Sequence, residues 1–273
     1  MAEDLNPHAR QMADPTMVRN LAAQARAIWP QEADLFRRYD LPDAPLVLDA
    51  GCGTGEIASR LAEMLPRATI IGVDIVEPHL ELARAHHGYL ADRLRFEVGD
   101  AFDLRFDDDS FDLAICRHML QAVPHAERVL RELARVTRPG GRLHLVAEDY
   151  GMIHMYPTRL DADRFWRDGP IAFGAATGTD LRVGQTAYTH LHALGLVDIS
   201  VDYVVVDTLR VPRETFIDIW VEWRDGYADA IAAHTRFTAQ DVVAHFDDMI
   251  ACLRDPAGYA VWHVPVLGAV VPR

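Results

Sequence analysis

The chain has 273 residues, half of them hydrophobic and a quarter charged, which is enough for one sizeable α/β core with insertions and too apolar for disorder. Its net charge of −14, with no run rich in basic residues, opposes a phosphate backbone, so nucleic acid is not expected as a partner. Cys52, Cys116 and Cys252 form no CxxC pair, the N-terminus is acidic and polar, and no apolar run is long enough to span a bilayer; together these predict a soluble cytoplasmic protein without membrane contact.

Residues 16–28 and 31–39 read as two helices, started at Asp14-Pro15 and broken at Pro30, lying against the sheet or over its mouth. From residue 46 onward, short β-branched runs alternate with helical patterns, the signature of βαβ units closing a mostly parallel sheet. Strands are predicted over 46–49, 69–74, 94–98, 111–116 and 142–147. Helices are predicted over 56–65, 77–87 and 125–137, the last stopped by Pro139-Gly140-Gly141. Residues 148–184 lose the period and read as a loop-helix insertion, followed by a helix over 185–194 and a strand over 197–206. Residues 212–253 are helical in pattern, and 259–271 supply a last strand. The expected architecture is a Rossmann-like, seven-stranded, mostly parallel sheet with helices on both faces. A helical cap would come from the N-terminus and from insertions after strands five and six. In segments, 1–43 holds the N-terminal helices, 44–207 the core with its 151–183 insertion, 208–258 the cap helices and 259–273 the last strand. Asp107-Asp108-Asp109 reads as a solvated turn, and no metal site is expected.

The strongest chemical signal is Val47-Leu48-Asp49-Ala50-Gly51-Cys52-Gly53-Thr54-Gly55-Glu56, a buried strand running into a glycine-rich turn and a helix. In open α/β sheets this turn lies at the carboxyl ends of the strands, where ligands settle. A dinucleotide loop wants Gly-x-Gly-x-x-Gly, but Glu56 stands where its third glycine belongs. A carboxylate at the helix opening would repel a pyrophosphate, so the loop suits a nucleoside with no phosphate there. Asp74 closes the second strand about twenty residues past the glycines, where an acidic group can accept from ribose hydroxyls; an N-cap of the following helix is the competing role. After the third strand, Asp100 could accept from the amine of adenine while Ala101 offers its N–H to the ring.

These elements, with Phe111-Asp112-Leu113-Ala114-Ile115-Cys116-Arg117-His118-Met119-Leu120 and the stretch Leu133-Ala134-Arg135-Val136-Thr137-Arg138-Pro139-Gly140-Gly141-Arg142-Leu143, resemble class I S-adenosylmethionine (SAM)-dependent methyltransferases. The resemblance is close over 44–147, weaker over 179–207, and leaves the two ends uncovered. It implies SAM as cofactor, with Asp49, Gly51, Cys52 and Gly53 around its methionine end, Gly55 also among the cofactor-binding residues, and Asp74 on the ribose. It further implies Ile75 on the adenine face, Asp100 and Ala101 at the adenine edge, and the Arg117 backbone facing the SAM amino group.

Methyl transfer from a sulfonium is an in-line displacement, in which the protein aligns the acceptor and excludes water. A hydroxyl acceptor must also lose a proton, which makes His118, just past the fourth strand, the first candidate base and His154 the second. Glu148, Tyr150, Tyr156, Trp166 and Trp220 are the candidate acceptor-binding residues. The expected activity is methylation of an oxygen or nitrogen of a small molecule, a natural-product intermediate being one candidate, in a monomer or an oligomer. The alternatives are an NAD(P)-dependent oxidoreductase, disfavoured by Glu56 and Asp100, and a non-catalytic SAM-binding protein.

Overall fold

In the computed structural model, which describes residues 4–273, the chain enters through a short helix, α1 (Ala9–Met12), and a long one, α2 (Pro15–Phe36). Asp14 caps α2 by accepting from the Thr16 N–H. The two N-terminal helices predicted on either side of Pro30 are thus one helix, with Pro30 inside it. A proline costs an interior helical hydrogen bond, but contacts on both sides of it hold α2 together. Ala23, Ala27 and Ile28 pack in the core before it. After it, Gln31 exchanges hydrogen bonds with the Val205 backbone at 2.8 and 3.1 Å, and Glu32 is fully buried on polar partners.

Eight strands form one sheet: β1 (Leu46–Ala50), β2 (Thr69–Asp74), β3 (Leu94–Val98), β4 (Phe111–Arg117), β5 (Thr137–Val146), β6 (Ile153–Tyr156), β7 (Val197–Asp207) and β8 (Tyr259–Val270). The order is β3-β2-β1-β4-β5-β8-β6, with β7 on the other side of β8. The first five strands are mutually parallel and β8 runs antiparallel to its neighbours. The winding reverses between β1 and β4, which opens a crevice beyond their carboxyl ends. The sheet has one strand more than the seven predicted, because residues 153–156 of the insertion pair with Trp262–Tyr259 where β5 has already ended.

Alternation along β1 fills two layers. Val47 packs with Ile57, Leu61 and Leu80 of α3 (Glu56–Met64) and α4 (Glu77–His87), whereas Leu48 faces the layer that holds Val129, Leu130 and Leu133 of α5 (Ala126–Val136). The insertion after β5 adds two short helices, α6 (Ala162–Trp166) and α7 (Ala172–Ala176), and α8 (Ala187–Ala193) precedes β7. Between β7 and β8 stand α9 (Arg213–His234) and α10 (Ala239–Arg254). The helical pattern over 212–253 is divided because Thr238 and Asp241 form a reciprocal capping box that starts α10 afresh. Trp166, Trp220, Trp223 and Phe246 join Met17 and Ile28 of α2 in a third core, so the N-terminal helix, the insertion and the α9/α10 pair form one cap. Among the described residues no helix is long and apolar enough to cross a membrane.

Candidate active site

A cleft of about 770 Å³ opens at the carboxyl ends of the parallel strands, lined by Gly51, Gly53, Asp74, Ile75, Asp100 and Ala101. Gly51 and Cys52 donate their N–H groups to the Val73 carbonyl at 2.8 and 3.1 Å, which folds the glycine turn back over β2. Gly51 has φ +75°, and a Cβ there would stand 2.8 Å from Met119 Sδ, so a side chain is refused by both backbone and space. Gly55 serves the fold: it caps α3 at φ +77°, and its missing Cβ would lie 2.5 Å from Phe96.

The N-cap role weighed for Asp74 is not its own, because α4 starts from Val76 without a side-chain cap. The Asp74 carboxylate accepts from the Gly53 N–H at 2.7 Å and the Val76 N–H at 2.9 Å, tying the glycine turn to the end of β2, and it also lines the cleft. Asp100 accepts from the Phe102 N–H at 2.9 Å. His79 on α4 also lines this cleft, buried and with Nε2 unpartnered. Sequence reasoning missed it, because one histidine on an amphipathic helix carries no signal of its own.

At the methionine end predicted for the cofactor, Asp49, Gly51, Cys52 and Arg117 line a smaller recess together with Leu21 and Gln24 of α2. Burial pushes the Asp49 carboxyl up to about 7, against the pull of Arg117 and with the help of Asp74 and Glu32. Burial likewise raises the Cys52 thiol, which is no nucleophile. The Arg117 guanidinium is fixed from below by Glu32, which also accepts from His144 Nε2 at 2.9 Å, while Tyr39 meets His144 Nδ1 at 2.8 Å.

These groups fit SAM and not a dinucleotide. The cleft offers a glycine cradle and two carboxylates, and its one arginine among the described residues is already paired.

A second cavity, of about 660 Å³ with its open mouth included, adjoins the first beneath the cap, with Tyr150, Trp166, Trp223 and Tyr227 on its walls. His118 lines this cavity, the cleft at the glycine turn and the recess alike. It follows β4 at φ +52°, held by its N–H to the Val146 carbonyl at 3.1 Å. Glu148, just past β5 and fully buried, accepts from His118 Nδ1, and Nε2 is left buried without a partner. In the neutral ring that orientation makes Nε2 the acceptor.

Tyr150, Trp166 and Glu148 line this second cavity, but three expected residues stand apart from it. Trp220 is 0% exposed inside the cap core, and Trp223, one turn further along α9, takes the wall. Tyr156 is 79% exposed on β6. His154 points to solvent beside Asp163 at 3.5 Å, because β6 carries it away along β8. His8, Asn20 and Gln24 from the N-terminal helices, and Gln121, line the cavity without having been anticipated.

The family model for a methyltransferase domain matches residues 43–160. The trans-aconitate 2-methyltransferase of Deinococcus radiodurans is 32% identical over 194 residues, covering 69% of this chain and 71% of that protein. The 27-O-demethylrifamycin SV methyltransferase of Amycolatopsis mediterranei is 40% identical over 119 residues, 43% of this chain and 42% of that protein. The chain spans about half the length, or less, of the first curated relatives it matches, 49%, 42% and 42%. Its fold is that of phosphoethanolamine N-methyltransferase 2 of Haemonchus contortus in complex with SAM, at TM-score 0.60 and 19% identity over 97% of this chain and 60% of that one. The chain belongs to the class I SAM-dependent methyltransferases, a family whose cofactor is S-adenosyl-L-methionine. The oxidoreductase alternative falls with that membership.

Proposed function

We propose that the protein methylates a hydroxyl oxygen of a small molecule, with His118 as general base. The observation that carries this reading is His118 Nε2: buried and unpartnered, in a residue that lines both cavities, with Nδ1 engaged by Glu148. SAM, when bound, would supply an electrophilic methyl on a sulfonium, whose sulfur keeps the electrons of the broken S–CH3 bond and leaves as S-adenosylhomocysteine. The acceptor O–H gives its proton to His118 Nε2 as its oxygen forms the bond to the methyl, and the imidazolium is stabilised by the Glu148 carboxylate. Asp74 would hold the ribose, Ile75 the adenine face, Asp100 and Ala101 the adenine edge, and Asp49 the charged methionine end. The cap, closing over His118, would keep water from the methyl. A nitrogen that is already neutral can attack without first losing a proton, so a buried base favours a hydroxyl, and the name of the rifamycin relative, a 27-O-demethyl substrate, favours oxygen in a natural product. The three cysteines, all unpaired and buried, fit a reducing cytoplasm.

Calorimetric titration with S-adenosylhomocysteine, NAD and NADP tests the cofactor, and mass spectrometry for one added methyl tests the transfer. Binding of S-adenosylhomocysteine alone is expected. With an acceptor in hand, His118→Ala should lower kcat about 10²- to 10⁴-fold with little change in cofactor affinity. An undiminished kcat would remove His118 from the reaction.

A further inference from the structure

We infer that the acceptor is an uncharged, ring-bearing molecule that offers a second oxygen, a carbonyl or ether, to the indole N–H of Trp166 while its reacting hydroxyl meets His118; this rests on the methyltransferase reading above. The walls of the cavity are aromatic: Tyr150, Trp166, Phe173, Trp223, Tyr227 and Phe246. Tyr150 packs on Trp166 and on Trp223 with ring centroids 5.4 Å apart in each case, and Phe173 lies 6.1 Å from Tyr227. Rings braced against one another present fixed apolar surfaces, which suit a flat ligand.

Charge narrows the class. The chain has no lysine, and among the described residues no arginine lines this cavity. A carboxylate or phosphate would lose its water there without gaining a cation, and it would approach the buried Glu148. A polycarboxylate such as trans-aconitate, in the name of one relative, is therefore a poor fit. An ammonium drawn to the unpartnered Glu148 Oε2 would offset the negative charge that supports the His118 imidazolium.

Three further residues that line this cavity carry a buried polar atom without a partner, Trp166 Nε1, Gln121 Oε1 and Glu148 Oε2, the first two in residues only 4% and 5% exposed. A buried group without a partner is costly, and a ligand can supply what is missing. The indole nitrogen only donates, so it selects an oxygen acceptor; the Gln121 oxygen only accepts, so it selects a hydroxyl. The indoles of Trp220 and Trp262 are also unpartnered, but they line neither cavity, so of the three indoles only Trp166 stands on a cavity wall.

The test uses the full chain loaded with S-adenosylhomocysteine and four dihydroxynaphthalenes that differ only in one substituent: acetyl, ethyl, carboxylate or aminoethyl. By calorimetry the acetyl compound should bind about 5- to 10-fold more tightly than the ethyl one, and at least about 10-fold more tightly than either charged one. Trp166→Phe should erase the acetyl-over-ethyl ratio and leave S-adenosylhomocysteine binding intact. Gln121→Met should weaken both neutral compounds by about 3- to 10-fold and leave their ratio unchanged. Tightest binding of the carboxylate or aminoethyl compound overturns the inference, as does a loaded protein that takes none of the four. A folded Trp166→Phe variant that keeps the acetyl preference overturns it too. Failure to bind S-adenosylhomocysteine at all is a separate result, which removes the methyltransferase reading and this inference with it.

Discussion

Both oxygens of Glu32 face the guanidinium of Arg117, Oε1 at 2.6 Å from Nε and Oε2 at 2.7 Å from Nη2, and the two side chains are 0% and 8% exposed. The pair pins α2 to the end of β4, where Arg117 lines the cleft at the glycine turn. Burial alone would raise the Glu32 carboxyl, but Arg117 and the hydrogen bond from His144 hold it at about 2. A carboxyl depressed in the folded state stabilises above its unfolded pKa of about 4.3, and that contribution is lost as pH falls toward the folded value. Glu32→Gln should cost about 3–5 kcal/mol, because it leaves Arg117 buried and unpaired. Removing both partners as Glu32→Leu/Arg117→Met should cost less than the sum of the single changes in a denaturant-monitored double-mutant cycle. Additivity would show that the pair is not coupled.

Asp49 should make cofactor binding pH-dependent. Burial raises this carboxyl to about 7, so the free protein holds a proton there for much of the time at neutral pH. A ligand whose charged ammonium lies near Asp49 favours the ionised form, so binding must release that proton. Affinity for S-adenosylhomocysteine should rise as pH increases through about 7 and level off above it. Calorimetry in buffers of different ionisation enthalpy reads the proton directly. Asp49→Asn should abolish the release, and proton release persisting in that variant would place the titration on another group.

Asp74 should show its two roles as separable losses. The side chain accepts from Gly53 and Val76 N–H groups and also faces the cleft. Asp74→Asn keeps one amide oxygen and should retain most of the fold while weakening S-adenosylhomocysteine by about 1–3 kcal/mol. Asp74→Ala frees both N–H groups and should lower the melting temperature as well. If Asp74→Asn melted early but bound with unchanged affinity, the carboxylate would serve the turn alone.

What the sequence made legible follows from how local each signal is. The strands β1 to β5 and the glycine turn carry their pattern within a few residues: Val47, Leu48 and Ala50 are completely buried, and Gly51 has the positive φ its type allows. His118 and Glu148 were readable as a neighbourhood, since each follows one of two adjacent strands. Their hydrogen bond was not, because it depends on the backbone turn at His118. The four residues of β6 become a strand only by pairing with β8, roughly a hundred positions on, and nothing in Ile153-His154-Met155-Tyr156 announces that partner. Trp220 and Trp223 lie one turn apart on a helix buried over much of its circumference, so periodicity could not say which one faces the cavity. Pro30 misled for a related reason: propensity favours a break, and the long-range bonds of Gln31 and Glu32 outweigh it.

The N-terminal segment should act as an acid-sensitive latch over both cavities. His8 and Met12 line each of them. His8 is buried, with Nε2 3.0 Å from Thr177 Oγ1 and its ring 5.0 Å from Phe173. Burial, and then the charge of His234, push its pKa down to about 4. The docked segment therefore prefers neutral His8, whereas a released segment takes up a proton below the ordinary value of about 6.5. Docking is fully supported above that value and weakens as pH falls from about 6.5 toward 4. At about pH 5.5 linkage gives a loss of about 1.4 kcal/mol, a tenfold drop in amide protection over α1 relative to about pH 7.5, after correction for intrinsic exchange. His8→Phe fills the same aromatic site without titrating and should hold its protection across that range. Protection equally pH-dependent in His8→Phe would assign the latch to a different group.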